Sequence, residues 1–321
     1  MNVLVDRHQA GLFHSMQLMA RRFGWTLYTP IGHAWWDGEV WSFGRGTYPD
    51  DRLAGQYLMA AQEPDPEFPD WPIAFVTLED AKQMDWAYII ATVQDNQSGF
   101  ARFAREHGAQ YVYEVGNTGQ YIDWSLDPLV LSSSEMPILG RGIRVHQEMD
   151  PVAFVPPGEG RVHLRTAASF VNCMPQMGSC WDLLQGSGLS VDVYGINGPL
   201  DIIKPYSTLI ELMGDYGWGW HDKQQGDGFG HVIHSWAAVG RPLVGHASHY
   251  SGKFAQHFWR DMETCIDLDR HSIEEAVELI RSISPSAHEA MCHAIRGEFD
   301  TIDYDAEAEM IAEFLGVRVT A

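Results

Sequence analysis

An acidic residue, two glycines and an aromatic ring, Asp227-Gly228-Phe229-Gly230, run straight into a segment with helical apolar spacing. Val232, Trp236 and Val239 fall on one face of that segment, and Ala237 and Ala238 allow close packing. The helix stops at Gly240, and after Arg241-Pro242 the apolar Leu243-Val244 begins a strand. Gly228 and Gly230 leave backbone N–H groups open to a ligand, and the helix beginning near His231 adds its partial positive charge. Phosphate oxygens or sugar hydroxyls would both be satisfied there. An ordinary turn before a helix explains Gly240 but not the crowded Asp-Gly-Phe-Gly approach.

A second group of chemical residues follows the apolar strand Val3-Leu-Val5. No G-x-G-x-x-G stands there, which disfavours a dinucleotide cradled in that loop. The loop offers Asp6 and His8, with His14 further on. Asp6 or His8 could take a proton from a hydroxyl near neutral pH; the alternative is a helix cap. His246-Ala-Ser-His249 and His257 match no zinc spacing, so no metal site is expected. Trp35-Trp36 and Trp41 could stack on a sugar or a base, or simply pack. Arg141, Arg144, Arg161 and Arg165 are close in sequence and could line a local basic cleft or simply be solvated surface arginines.

The elements that must position these residues alternate between strand and helix. In the first half, strands are expected at 3–5, 25–28, 86–93, 111–113 and 128–131, with helices at 12–23 and 100–107. Residues 30–72 form a long Trp-rich insert with a helix around 53–61. A Pro- and Gly-rich stretch over 136–160 reads as a linker. Beyond it, strands are expected at 167–171, 189–194, 217–220, 242–244 and 264–267. Helices are expected at 180–184, 207–213, 231–239, 273–283 and 305–315. The pattern gives an α/β chain of two Rossmann-like domains with parallel sheets facing a central cleft. The boundaries are 1–140, 141–303 and a terminal helix over 304–321 that crosses back to the first domain. Ligands then belong outside the carboxyl ends of the strands.

Composition narrows the function classes. The 321 residues carry a formal charge of −22, and four of the 21 basic residues are lysine. That field repels polyanions and gives no electrostatic footprint for nucleic acid. No run of eighteen apolar residues and no signal-peptide pattern is present, so a cytoplasmic protein without membrane insertion is expected. Cys173, Cys180, Cys265 and Cys292 form no CxxC pair and read as reduced thiols.

The motif Asp-Gly-Phe-Gly-x4-Ser-x-Ala-x2-Gly-Arg-Pro over 227–242 resembles the nucleotide-sugar signature of GT-B glycosyltransferases of the glycogen-synthase-like branch. In that branch it reads Glu-Gly-Phe-Gly-x4-Glu-Ala-x-Ala-x-Gly-x-Pro. Upstream, His146-Gln-Glu-Met-Asp-Pro-Val-Ala-Phe154-Val-Pro156 is similar to the linker that opens the family's second domain. Val191-Asp-Val-Tyr-Gly195 is similar to that domain's second strand. The resemblance implies a transferase moving a sugar from a UDP- or GDP-linked donor to a hydroxyl, with no cofactor and no required metal. It implies that Asp227 contacts the transferred sugar, and that Gly228, Phe229, Gly230 and His231 face sugar and diphosphate. Gly195 would border the donor. Ser235 stands where the family's ribose-holding glutamate belongs, so His234 or a residue elsewhere would take over that task. The family's diphosphate-neutralising Arg and Lys are missing, which leaves Arg165, Lys204 or Lys253 to supply the charge. Asp6 and His8 would serve the acceptor. The opening Val-Leu-Val-Asp-Arg-His and the Trp-rich insert resemble phage-borne members, which makes a hydroxymethylated DNA base one candidate acceptor, against the net charge. A silent nucleotide- or sugar-binding module, or a sugar-nucleotide epimerase or hydrolase, would use the same cleft.

Overall fold

The computed structural model describes residues 1–6, 10–30, 33–36, 41–44, 73–117, 119–150, 153–156, 163–173, 180–196, 200, 206–223 and 226–320. The chain divides into two compact units, Met1–Glu148 with Tyr304–Ala321, and Met149–Asp303. The first unit thus runs to Glu148, past residue 140, because β9 still pairs with its sheet.

The first unit contains β1 (Asn2–Val5), β2 (Thr26–Pro30), β3 (His33–Trp36), β4 (Trp41–Gly44), β5 (Ile73–Val76), β6 (Tyr88–Ala91), β7 (Gln110–Val115), β8 (Leu129–Ser132) and β9 (Gly142–Arg144). Seven of these form a parallel sheet in the order β5-β2-β1-β6-β7-β8-β9, and β3 and β4 make a separate antiparallel pair. Buried on both faces, parallel strands read as unbroken apolar runs, as Tyr88-Ile-Ile-Ala91 does. One face carries Val3, Val5, Ile90, Val112 and Leu131 against Phe13, Met16 and Ala20 of the helix Ala10–Phe23. The helix Tyr304–Leu315 adds Ile311 and Leu315 to the same core. The opposite face packs Leu4, Ile89 and Tyr113 against Phe100 and Phe103 of the helix Gln97–His107. The strands β5 and β9 were not anticipated; both are edge strands of four and three residues. The helix anticipated at 53–61 falls outside the described residues.

The second unit contains β10 (His163–Cys173), β11 (Ser190–Ile196), β12 (Tyr216–Trp220), β13 (Leu243–Gly245) and β14 (Cys265–Asp267), parallel in the order β11-β10-β12-β13-β14. Alternation along β12 sends Trp218 and Trp220 to one buried face and Gly217 and Gly219 to the other. The missing side chain at Gly219 admits the Trp236 indole: a Cβ there would stand 2.6–2.7 Å from three of its atoms. That contact seats the helix His231–Ala238 flat on the sheet. The helix Pro285–Phe299 was missed from sequence. Its buried face is His288, Met291, Ile295 and Phe299, and the leading histidine hides the apolar period. Among the described residues Cys265 and Cys292 are free thiols, and no described helix is long and apolar enough to cross a membrane.

Candidate functional site

In each sheet the strand order reverses once, between β1 and β6 in the first and between β10 and β12 in the second. Loops leaving the carboxyl ends of the strands at such a reversal diverge and leave room for a ligand. The chemical residues lie at these two places.

In the second unit, the chain leaves β12 at Trp220 and enters His221, which is 3% exposed. The His221 ring places Nε2 2.8 Å from Oδ2 of Asp227. Lys223, four residues before Asp227, donates from Nζ to Oδ1. Lys253, in the turn after Ala247–Tyr250, donates from Nζ to the Asp227 carbonyl at 2.8 Å. It also stands 5.6 Å from the centre of the Tyr250 ring. Burial alone would raise the Asp227 carboxyl; the charges and hydrogen bonds of His221 and Lys223 outweigh it and hold the group well below the usual carboxylate range. Asp227 is therefore ionised; its carboxylate anchors the Lys223 ammonium, and its main-chain carbonyl receives that of Lys253. In a chain with four lysines, two converge on it.

The helix His231–Ala238 begins just beyond. Its N-cap is Gly230, left-handed at φ 77°, with no side-chain cap for the first turn. N–H groups at the start of a helix point outward and suit an anion. His231, half-buried, opens the helix. Phe229 is 1% exposed and stacks on the His234 ring at 3.9 Å between centres, which pins the turn to the helix.

The structure places the other expected donor-side residues as follows. His234 is fully buried, with Nδ1 3.0 Å from the Gly230 carbonyl. Ser235 is 1% exposed, and its hydroxyl donates to the His231 carbonyl at 2.9 Å. His234 Nδ1 and the Ser235 hydroxyl are bonded back along their own helix, and both residues are buried. Arg165 is exposed at the third position of β10, whereas the ligand edge of a parallel sheet lies at the other ends of its strands. Gly195 is the next-to-last residue of β11 and gives its N–H to the Leu200 carbonyl at 3.1 Å. Lys204 and His8 lie outside the described residues. Lys223 was missed although its spacing to Asp227 was readable, and His221 was missed because it follows the strand with no motif around it.

Nearby, His246 is held between Asp269 at 2.8 Å and Asp222 at 3.4 Å. Among the described residues no group of three or more His, Cys, Asp or Glu side chains is placed to hold a metal ion. A concavity of about 590 Å³ opens beside 254–258, lined by Ser251, Gln256, His257, Trp259, Arg260 and Glu298 with Ala247. None of those residues belongs to the Asp227 group. Arg141 pairs with Asp127, and Arg144 donates to the Glu135 and Met136 carbonyls, so each is bonded locally.

In the first unit, Asp6 is 2% exposed at the reversal beside β6. It does not cap the following helix by any bond among the described residues. It accepts from Thr92 N at 2.6 Å, Thr92 Oγ1 at 2.7 Å, Asn96 Nδ2 at 3.0 Å and Val93 N at 3.3 Å. Burial pushes its carboxyl up to about 6 despite those donors. With both oxygens engaged, Asp6 ties the β1 loop to the β6 loop and has little left for a substrate proton.

No protein-family model matches the chain, and no curated protein matches it. Solved structures resemble it over nearly its whole length. HepE of Anabaena, in complex with UDP and glucose, superposes with a TM-score of 0.65 at 12% identity, covering 98% of this chain and 99% of that one. A glycosyltransferase from Rickettsia africae gives 0.63 at 10% identity, with 98% of each chain covered. An alpha-glucosyltransferase in complex with UDP and a 13-mer DNA containing an HMU base gives 0.61 at 12%, covering 98% and 99%. The likeness establishes the two-unit α/β fold that the GT-B resemblance implied.

Proposed function

We propose that the chain is a glycosyltransferase that takes its sugar from a UDP-linked donor held by the second unit. One observation carries this reading: Lys223 and Lys253 are gathered on Asp227 at the strand-order reversal, directly before an uncapped helix N-terminus. The two ammonium groups and the first-turn N–H groups would receive the diphosphate and stabilise the charge that grows on it as the sugar leaves. The Asp227 carboxylate is then a positioning group that keeps Lys223 in place, while its main-chain carbonyl holds Lys253. The choice of UDP over GDP rests on the ligands of the similar structures. The acceptor side falls to the first unit. With a charge of −22, a small or neutral hydroxyl acceptor is favoured over DNA.

A module that binds sugar nucleotide without transferring it is the second reading. It is favoured by Ser235, whose hydroxyl is spent inside the helix where the family places a ribose-holding glutamate. Thermal unfolding with UDP, UDP-glucose, GDP and uridine tests the donor site. UDP at about 100 times its Kd should add about 2.7 kcal/mol and raise Tm by several degrees. No stabilisation by UDP or UDP-glucose would sink the donor-site reading. Stabilisation without UDP release from UDP-glucose, in water, with small hydroxyl acceptors or with hydroxymethylated DNA, would select the binding module.

A further inference from the structure

His221-Asp222-Lys223 leave β12 at the strand-order reversal, wholly within the second unit. Most carboxylates at this edge of the sheet are already engaged on both oxygens. Asp227 meets His221 with one and Lys223 with the other. Asp269 accepts from His246 Nδ1 at 2.8 Å and Ser248 Oγ at 3.0 Å on Oδ1, and from Ser248 N at 2.7 Å on Oδ2. Asp267 accepts from Ala247 N and Asp269 N on Oδ1, and its Oδ2 stands 3.8 Å from Arg270 Nε. Asp222 differs. Its Oδ1 lies 3.4 Å from His246 Nε2, and among the described residues no donor is bonded to its Oδ2. The side chain keeps 15% exposure, so a ligand can reach it from solvent. Asp222 also acts on the surroundings of the Gly230 turn. The Tyr250 ring passes 3.3 Å from where a Cβ of Gly230 would stand. Its hydroxyl is raised well above the usual range by burial first and then by the Asp227 carboxylate, with the Asp222 charge adding to the rise.

We propose that Asp222 holds a pair of neighbouring hydroxyls on the bound sugar nucleotide and so selects a donor that carries them, an inference that rests on the UDP-donor reading above. The ammonium groups of Lys223 and Lys253 attract phosphate, whereas a carboxylate one residue from Lys223 repels it. Asp222 therefore suits a neutral part of the same ligand that brings O–H donors. A carboxylate is an acceptor only, and its two oxygens match two hydroxyls on adjacent carbons, each giving a charge-assisted bond. A sugar nucleotide has such pairs on either side of its diphosphate, on the ribose and on the sugar to be transferred. Ser235 takes neither, because its hydroxyl is bonded to the His231 carbonyl. Asp227 and Asp269 take neither, because their oxygens are filled from within the chain.

The test measures affinities by calorimetry for UDP, 2′,3′-dideoxy-UDP and UDP-glucose on wild type, Asp222→Ala and Asp222→Asn. Removing the anion helps every diphosphate ligand alike, so the ratios between ligands are read rather than the affinities themselves. If the ribose is held, wild type should prefer UDP to 2′,3′-dideoxy-UDP by about 10- to 150-fold, and Asp222→Ala should bind the two within about threefold. If the transferred sugar is held, the preference for UDP-glucose over UDP should collapse in the same way, and the ratio of UDP to its dideoxy form should stay. Asp222→Asn keeps one carbonyl oxygen and should fall between wild type and Asp222→Ala. Both ratios within about twofold of wild type in Asp222→Ala would overturn the proposal. If Asp222→Ala does not fold, unchanged ratios in Asp222→Asn overturn it, as does a wild type that binds the three ligands alike. A wild type that binds neither UDP nor UDP-glucose refutes the donor site itself, a distinct result that removes the proposal with it.

Discussion

Replacing Lys223 with Met keeps the aliphatic stem and removes the ammonium. In the proposed complex that ammonium gives one charge-assisted hydrogen bond to a diphosphate oxygen, worth about 1.5–3 kcal/mol. At about 1.4 kcal/mol per factor of ten, UDP affinity should fall roughly 10- to 150-fold. Lys253→Met removes the second ammonium and should cost a similar factor. The two groups share Asp227, so the double variant should lose less than the product of the single losses. The fold itself should suffer less. Lys223 and Asp227 keep 21% and 18% side-chain exposure, and His221 remains on the other carboxylate oxygen, so the lost pair is worth about 1 kcal/mol. Calorimetric titration with UDP and with uridine separates the two effects. Uridine has no diphosphate and should bind wild type and both variants alike. UDP affinities within twofold of wild type in both single variants would refute the assignment. So would uridine losing as much as UDP, because the damage would then be to the fold of the turn.

Two further outcomes follow from the same geometry. Asp6 has a folded-state carboxyl raised to about 6, so the folded protein binds the extra proton between about 4 and 6. Its contribution to stability is full below pH 4 and lost as pH rises through 6, by about 3 kcal/mol for a shift near two units. Urea unfolding of wild type and Asp6→Asn at pH 4.5 and pH 7 should show the wild-type advantage shrinking at the higher pH, and a constant difference would contradict it. Gly219→Ala sets a methyl 2.6 Å from the buried Trp236 indole, between a central strand and a packed helix. It should destabilise by about 1–3 kcal/mol in chemical denaturation, and a neutral result would show that the helix can shift.

How far the sequence discloses this molecule depends on where each residue finds its partners. The βα alternation and the Asp227–Gly230 turn are local patterns, and both are readable by period and punctuation. Lys253 reaches the same turn from 26 residues away, and no spacing rule predicts that meeting. Asp6 looked like a base because its partners lie between Thr92 and Asn96, on a loop that only the sheet order brings beside it. The strand expected at 111–113 runs on to Val115 as β7 and buries Glu114. The helix Pro285–Phe299 did announce itself by other means: Ser284 caps it, accepting from Ala287 N, and Pro285 follows as the first residue. His234 and Ser235 were assigned by analogy with a family motif, and their helical back-bonding shows that a matching position does not carry a matching orientation.

The helix Tyr304–Leu315 has a consequence for how the chain is made. Its Ala308, Ile311, Ala312 and Leu315 complete the core built on Val3, Val5 and Phe13, and the Tyr88 hydroxyl donates to the Leu315 carbonyl at 2.6 Å. His146 N and Nδ1 meet the Glu307 carboxylate at 2.9 and 2.5 Å. On the ribosome, residues 1–148 emerge first yet cannot close their core until residue 315 has followed. The intervening 149–303 segment holds its own core and leaves the ribosome earlier than that closing helix. The unit that begins the chain is therefore the last to finish, and a stalled or clipped product lacking the final helix would expose the apolar face over Val5 and Leu131 to chaperones and proteases.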